Sequence, residues 1–228
     1  HYRSHSFPTR RSSDLSMANL ASNNARQIYN QISGLNIYQN DDAGIQLHIG
    51  GRGLDPNRTS NFNTRQNSYD ISADVLGYPE SYYTPPAEAI KEIQIVRGAA
   101  SLQYGTQFGG LINFVLKEPP NKKIDAVIRN TIGSNNQYTN FTSIGGKKNK
   151  FSFYTFYNHK RGDGFRNNSN YKSNNVYVHL KQNLSNKSEL SGEVTYMNYL
   201  AKQAGGLSDR MFINNPMQSN RSRNWFEL

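Results

Sequence analysis

The feature that most constrains the fold is a series of alternating segments after Pro120. Each segment is roughly ten residues long, which is the length that a tilted membrane-spanning strand needs, and places apolar side chains at every second position. The apolar faces of three segments are Ile124, Ala126, Ile128 and Ile132, then Val176, Val178 and Leu180, then Leu190, Val194 and Tyr196. The opposite faces are polar, so the pattern predicts β-strands with one apolar side. A fourth segment, "FSFYTFY", carries aromatic residues on both faces, so the period alone does not orient it.

The connections between these segments alternate between short and long. "GGKKNK" and "NLSNKS" are tight turns, whereas "HKRGDGFRNNSNYKS" and everything after Leu200 are long and polar. Outer-membrane barrels have short periplasmic turns and long outer loops. With strands starting near 122, 137, 150, 173 and 188, residues 147–149 and 184–187 are predicted to be periplasmic, and 159–172 and 200–228 outside. The strands of a soluble β-sandwich also have one apolar and one polar face, but that fold does not predict alternating short and long connections.

The composition is compatible with a membrane β-barrel and argues against several other classes of protein. Hydrophobic residues make up 35% of the chain and the mean hydropathy is −0.79, which is low for a compact cytosolic enzyme. The sequence has no apolar run of about 18 residues, so it predicts no transmembrane helix. The absence of cysteine excludes disulfides and thiolate metal sites. A net charge of +10 and a pI of 9.7 keep a second hypothesis open, a soluble basic protein that binds nucleic acid or polysaccharide.

The chain from Met17 to Pro120 has a different character, with frequent glycines and mixed local patterns. "ARQIYNQISG" predicts a short helix that ends at Gly34, and "IQLHIGG" predicts a strand that enters a turn. "AEAIKEIQIVRGAASLQYGTQFGGLINFVLKEPP" predicts a strand, one helical turn, a glycine bend and a second strand. The sequence therefore predicts a small unit of helices and strands before the barrel strands.

Catalytic and cofactor motifs are absent from the sequence. "GGRGLDP" fails as a dinucleotide fingerprint because Pro56 occupies the third glycine position, and "GGKKNK" lacks the P-loop spacing. The histidines have no metal-ligand spacing. We therefore expect neither an enzyme nor a resident cofactor.

Three stretches resemble one protein family. "EIQIVRGAASLQYGTQFGGLINFVLKEPP" resembles the end of the plug domain of TonB-dependent outer-membrane receptors, and "IGGRGLDPNRTS" resembles their upstream Arg-Gly turn. "AGGLSDRMFINNPMQSNRSRNWF" resembles an early extracellular loop of the ferric dicitrate transporters in that family. The sequence departs from the family at "TRQNSYDIS", which is polar where an apolar strand is usual, and this change bears on the identity of the ligand.

The resemblance implies an α+β plug domain followed by antiparallel transmembrane β-barrel strands that form an incomplete barrel. We expect a plug at 17–120 and the first barrel strands and outer loops at 121–228. It also implies location in the outer membrane, contact with outer-membrane lipid, no nucleic-acid partner, and energy from the TonB–ExbB–ExbD complex. The transported ligand is expected to be a ferric chelate, with iron(III) dicitrate or a similar siderophore first and heme, cobalamin or a glycan as alternatives.

The resemblance also singles out residues. Arginine suits carboxylate binding through paired charge-assisted hydrogen bonds, and polar plug residues of the dicitrate receptors have counterparts here. The ligand-binding candidates are Arg58, Thr64, Arg65 and Gln107 in the plug and Arg210, Arg221 and Arg223 in the last loop. Arg52 and Arg97 are the candidates for plug–barrel contacts.

Residues 1–16 do not match the rest of the chain. "HSFPTRRSSDL" has neither an apolar period nor a signal-peptide core, and it resembles a translated sequencing adapter. We therefore expect residues 1–16 to be non-native. Five strands cannot close a barrel, which needs at least about eight, so the sequence is expected to be a fragment.

Overall fold

The computed structural model describes residues 11–13, 32, 34–39, 41–51, 53–59, 61–73, 80–96, 104, 109–220 and 224–227. The chain forms two compact units. The first contains residues 1–39 and 44–116, and the second contains residues 40–43 and 117–228. The boundary between plug and barrel after Pro120 stays a prediction from the sequence.

The first unit contains two sheets. The larger has the strand order β1-β6-β7-β4-β5, in which β4 and β7 are parallel and the other pairs are antiparallel, and β2 pairs with β3 in the smaller. Among the described residues, 3-10 helices cover Asn57–Thr59 and Ala87–Ala89. The strands are β1 (Arg11–Ser13), β2 (Leu35–Gln39), β3 (Leu47–Gly51), β4 (Phe62–Gln66), β5 (Tyr69–Asp70), β6 (Ile90–Val96) and β7 (Gly110–Leu116).

The core of the first unit forms around Phe62, whose side chain is fully buried. The predicted glycine bend packs directly against this ring. A Cβ atom at Gly109 would lie 2.7 Å from Phe62 Cδ2, and Gly110 has a φ of +128°, which only glycine adopts readily. The two glycines therefore allow β7 to approach β4 closely enough to pair with it.

Two predictions for the first unit fall largely outside the described residues. The helix predicted before Gly34 is one, although Gly34 itself has the positive φ of +77° expected at a helix end. The helical turn predicted before Gly105 is the other. β1 lies within the segment predicted to be non-native and pairs with β6, so the origin of residues 1–16 stays a prediction.

The second unit is an antiparallel sheet in which each strand pairs with the next along the chain. Five long strands occur at the predicted places, and each starts within a few residues of its predicted start. The region after Leu200, predicted to be an open loop, contains a short helix and a further strand. The elements are β8 (Asp125–Ile132), β9 (Tyr138–Lys148), β10 (Phe151–Gly162), β11 (Tyr171–Asn183), β12 (Glu189–Gln203), α1 (Asp209–Asn214) and β13 (Asn224–Glu227).

The apolar face of this sheet is exposed and the polar face is buried. Ile128 is 70% exposed and Val194 is 65% exposed, whereas Asn158, Asn175 and His179 on the opposite face are at most 4% exposed. A soluble sandwich buries its apolar face, so this inverted arrangement is that of a membrane barrel wall. "FSFYTFY" departs from this rule, since Tyr154 and Phe156 are buried beside the polar side chains of that face.

The structure therefore has the fold predicted from the sequence, a mixed plug unit followed by antiparallel barrel strands in an incomplete barrel. Among the described residues, no helix has the length and apolar character needed to cross a membrane.

Candidate functional site

The polar segment "TRQNSYD" forms the hairpin between β4 and β5. Asn67 and Ser68 make the two-residue turn, with φ values of +48° and +72°. Two successive positive φ values match a type I′ hairpin turn, and asparagine is one of the residues that tolerate a positive φ. Asn67 and its side chain also join the hairpin to β7, since Asn67 N donates to Phe114 O at 3.0 Å and Leu116 N donates to Asn67 Oδ1 at 2.8 Å.

Arg65 organises the apex of this hairpin. Its Nε donates to Asn63 Oδ1 at 2.7 Å, and its Nη1 donates to the Ser68 carbonyl at 2.7 Å. Its Nη2 donates to the Tyr104 carbonyl at 3.1 Å, and its guanidinium lies 5.0 Å from the centre of the Tyr104 ring. Arg65 therefore links the turn of the hairpin to a segment 39 residues further along the chain.

Asp70 completes the same cluster from β5. Its carboxylate accepts hydrogen bonds from Asn63 Nδ2 at 2.6 Å and from Ser72 N at 2.8 Å, and it lies 3.7 Å from Arg65 Nη2. Partial burial raises the pKa of Asp70, but hydrogen bonds from Ser72 and Asn63 and the charge of Arg65 outweigh this effect, so the pKa lies below the ordinary value of an aspartate. Asp70 is therefore a carboxylate at neutral pH and forms an ion pair with Arg65.

Asn113 and Gln94 connect this apex to the centre of the sheet. Ser68 N donates to Asn113 Oδ1 at 2.8 Å, and Asn113 Nδ2 donates to Gln94 Oε1 at 3.1 Å. Both amide side chains are buried, so their mutual hydrogen bond offsets part of the cost of burying them. The hairpin turn is therefore held rigidly over β7.

The long loops of the second unit form another ordered region. Arg166, in the loop after β10, donates from Nη1 to the Gly205 carbonyl at 2.8 Å and from Nη2 to the Gln218 carbonyl at 2.7 Å. Asn167 N donates to Met217 O at 3.0 Å. These bonds hold the loop between β10 and β11 to the loop after β12, so the two predicted outer loops form one surface.

Helix α1 lies in that second loop and presents Arg210 to solvent. Ser208 caps the helix by accepting a hydrogen bond from Met211 N at 3.4 Å. Phe212 and Ile213 on the same helix are 60% and 79% exposed. The loop surface therefore offers both a cation and apolar side chains.

The structure separates the predicted site residues into three groups. Arg65 is held within the hairpin apex, and Thr64 beside it is 3% exposed, with no hydrogen-bond partner for its hydroxyl among the described residues. Arg210 is exposed on α1. The Arg58 backbone belongs to the first 3-10 helix, while its side chain and Arg52, Arg97, Gln107, Arg221 and Arg223 lie outside the described residues.

Asn63, Asp70, Tyr104 and Arg166 were not among the residues predicted from the sequence. The signal for Asp70 was its place across the turn from Arg65, which is where a hairpin sets an ion pair. Arg166 had no comparable signal, because its partners are backbone carbonyls far along the chain. Within the described ranges, no group of three or more His, Asp or Glu side chains could hold a metal ion.

Comparison with known proteins adds a family model and a set of solved structures. Residues 8–111 match the model of the TonB-dependent Receptor Plug Domain. The copper transporter OprC shares 16% identity over 81% of this chain and 29% of its own, with a TM-score of 0.62. The pyoverdine receptor FpvA from Pseudomonas aeruginosa PAO1, bound to pyoverdine, shares 17% identity over 77% of this chain and 25% of its own, with a TM-score of 0.63.

A variant of the ferric enterobactin receptor PfeA from Pseudomonas aeruginosa, in complex with enterobactin, shares 17% identity over 87% of this chain and 34% of its own, with a TM-score of 0.59. At these identities the likeness concerns the fold alone. The chain thus spans 25% to 34% of the length of OprC, FpvA and PfeA. No curated protein sequence matches it.

Proposed function

We propose, from the premise that residues 8–111 of this chain are a TonB-dependent receptor plug domain, that the protein is an outer-membrane receptor that takes up a metal chelate. The single observation that carries this proposal is the order of the two units along the chain. A plug unit is followed by strands whose apolar face is exposed, with Ile128 at 70% and Val194 at 65%. A receptor needs this combination, because the plug closes a pore whose wall faces lipid.

The names of the similar structures support a metal-bearing ligand. OprC is a copper transporter, and FpvA and PfeA are receptors for the siderophores pyoverdine and enterobactin. All three are transporters or receptors and none is named as an enzyme. These names support the proposal that a metal is cargo of this protein and that its function is uptake.

Within this class we place iron(III) dicitrate or a similar anionic siderophore first. The support is the resemblance of residues 204–226 to a loop of the ferric dicitrate transporters, together with an exposed Arg210 in that loop. A carboxylate-rich chelate needs cations to replace its water shell, and arginine provides paired donors. Arg58, Arg65, Thr64, Gln107, Arg221 and Arg223 remain candidate contacts, and Arg52 and Arg97 remain candidate plug–barrel contacts.

Transport into the periplasm needs energy that the outer membrane does not supply. We place its source in the TonB–ExbB–ExbD complex, on the strength of the plug-domain family. The FpvAI–pyocin S2 complex is among the similar structures, so binding of a further partner is compatible with this fold.

The test is uptake of radioactive iron by cells that lack their own ferric citrate receptor and express the longest form of this receptor that its gene encodes. We expect accumulation of iron supplied as citrate, and loss of accumulation when TonB is deleted. Replacing Arg210 with Gln should raise the iron-citrate concentration needed for half-maximal uptake by about tenfold, as expected for one lost charge-assisted contact. Lys187→Gln, in a tight turn, is the matched control.

Two outcomes contradict different parts of the proposal. Uptake that persists without TonB excludes an energised receptor of this family. TonB-dependent uptake of copper, heme or another siderophore, with none of iron citrate, keeps the receptor but excludes dicitrate as its ligand.

A further inference from the structure

The segment 117–124, here called the connector, joins the end of β7 at Leu116 to the start of β8 at Asp125 and belongs to the second unit. It contains two consecutive prolines, Pro119 and Pro120. Proline fixes its own φ and restricts the preceding residue to extended conformations. The connector is therefore a stiff and extended stretch of chain.

The connector contacts two strands of the barrel sheet that are not neighbours. Near its carboxyl end, Lys147 N of β9 donates to the Lys122 carbonyl at 2.8 Å, and Lys147 Nζ donates to Asn121 Oδ1 at 3.0 Å. Near its amino end, Lys181 Nζ of β11 lies 2.5 Å from Glu118 Oε2. Since β10 lies between β9 and β11, the connector crosses β10.

The length of the connector matches this crossing. Lys147 and Lys181 both pair in register with Ser152 of β10, so the three form one row across the sheet. The row lies on the polar face, because Lys181 is two residues from His179. Neighbouring strands are about 4.8 Å apart, so the row is about 10 Å long. Residues 118–121 span about 10 Å when extended, which leaves little slack between the two contacts.

Two glycines of β9 lie directly beneath the connector. A Cβ atom at Gly145 would lie 2.7 Å from Pro120 Cδ, and one at Gly146 would overlap the Lys123 carbonyl oxygen. Both glycines are buried and neither has a positive φ, so the backbone conformation does not require glycine here. Glycine within a strand often marks a place where another stretch of backbone approaches closely. The glycine pair of "GGKKNK" therefore provides the space in which the connector lies.

We propose that Gly145, Gly146 and Lys181 are positioning residues that hold the connector on the barrel strands while the plug moves during uptake. The inference rests on the proposed function, because it assumes a receptor that TonB energises. A pull on the chain upstream of β7 is then resisted at the connector, so the plug cannot leave the pore completely. Leu116 N, next to the connector, donates to Asn67 Oδ1 at 2.8 Å, so the hairpin turn is held to the same end of β7.

The test uses cells that express the longest form of the receptor that its gene encodes, with and without TonB. The cells are exposed to vancomycin, which does not cross an intact outer membrane. G146A places a methyl group against the Lys123 carbonyl, and K181M removes the ion pair with Glu118. The matched controls are G192A, where a Cβ atom meets nothing within 4 Å, and K187M, which changes an exposed lysine in the turn after β11.

Amide hydrogen exchange of residues 117–124, measured on the purified receptor, reports whether the connector has loosened. We expect this exchange to be at least about threefold faster in G146A and in K181M, as expected for one lost contact at a partly exposed site. We also expect the inhibitory concentration of vancomycin to fall several-fold in both variants, and only in cells that contain TonB. Both controls should match the original receptor.

Three outcomes overturn the proposal. Unchanged exchange in both variants would show that these contacts do not hold the connector. Faster exchange without vancomycin sensitivity would show that a loose connector does not affect plug movement. Sensitivity that is equal with and without TonB would show that the variants merely make the barrel leaky. Iron uptake by the original receptor is measured separately, so a failed vancomycin assay leaves the proposed function standing.

Discussion

Arg65 has its guanidinium nitrogens engaged within its own unit, with acceptors on Asn63, Ser68 and Tyr104. A ligand carboxylate at this arginine would therefore have to share or displace those bonds. Ligand contact by Arg65 stays a prediction, but its geometry is that of a residue that positions the hairpin turn. Arg210, which is exposed on α1, has no such hydrogen bonds to the residues that the structure describes.

A second prediction at the residue scale concerns the contribution of Asp70 to the stability of the hairpin. The D70N variant should lose about 1 kcal/mol of hairpin stability at pH 7, because charge-assisted hydrogen bonds become neutral ones at a partly exposed site. The folded pKa of Asp70 is lowered, so its contribution is present above the unfolded pKa and disappears as the pH falls through the folded value. Amide hydrogen exchange of residues 62–73 at pH 7 measures the effect.

The control for Asp70 is D55N, which removes another exposed carboxylate that accepts a backbone hydrogen bond, from Asn57 N at 2.9 Å. Its exchange at 62–73 should match that of the original protein. Below about pH 3, near the protonation of ordinary carboxylates, the difference caused by D70N should shrink. A difference that grows on acidification would contradict the role assigned to the carboxylate.

At the scale of elements, the strands are joined by alternating short turns and long loops, as the sequence predicts. The turn between β9 and β10 contains only residues 149 and 150, and the loop after β12 runs through α1 to β13. The side of the membrane on which each connection lies is a separate prediction, since alternating strands would look the same if inverted. The short turns are predicted to be periplasmic and the long loops to be outside.

Single cysteines test this orientation cleanly, because the sequence contains none of its own. In intact cells that express the longest form of the receptor, a membrane-impermeant maleimide should label cysteines at Asn168 and Asn215. A cysteine at Lys148 should stay unlabelled until the outer membrane is permeabilised. The reason is that the two loops reach the outer medium and the tight turn does not. Labelling of Lys148 in intact cells, with Asn168 protected, would show that the orientation is inverted.

At the scale of the whole molecule, the net charge of +10 favours a soluble basic protein, whereas the exposed apolar face favours a membrane barrel. A soluble basic protein would bind nucleic acid tightly at low salt and lose that binding steeply as salt rises, because counterions are released. A barrel protein would need detergent to stay monomeric. The large exposed fractions of Leu190, Val194 and Tyr196 favour the barrel.

A filter-binding titration with double-stranded DNA at 50 and 200 mM salt measures this difference, on the receptor in detergent and after detergent removal. We expect weak retention at either salt, and aggregation once detergent is removed. Tight retention at 50 mM that falls by a factor of about 10³ or more at 200 mM, by a protein that stays monomeric without detergent, would contradict a membrane barrel.

The sequence by itself determined the class of the two units and the faces of most strands. A period of two places alternate side chains on opposite faces wherever a strand pairs, so Val176 and Val178 had to share a side whatever their neighbours were. Glycine at positions 109 and 110 likewise allowed a bend that other residues would resist. These are local properties, which a short stretch of chain carries with it.

Only the tertiary structure decided which distant residues meet. "FSFYTFY" could not be oriented until its pairing buried Tyr154 and Phe156. Arg65 reaches Tyr104, and Arg161 faces Lys172 only because β10 and β11 pair in that register. Helix α1 and strand β13 lie in a segment without a strong period. Contacts between residues far apart in sequence depend on strand register and loop closure, which no local pattern encodes.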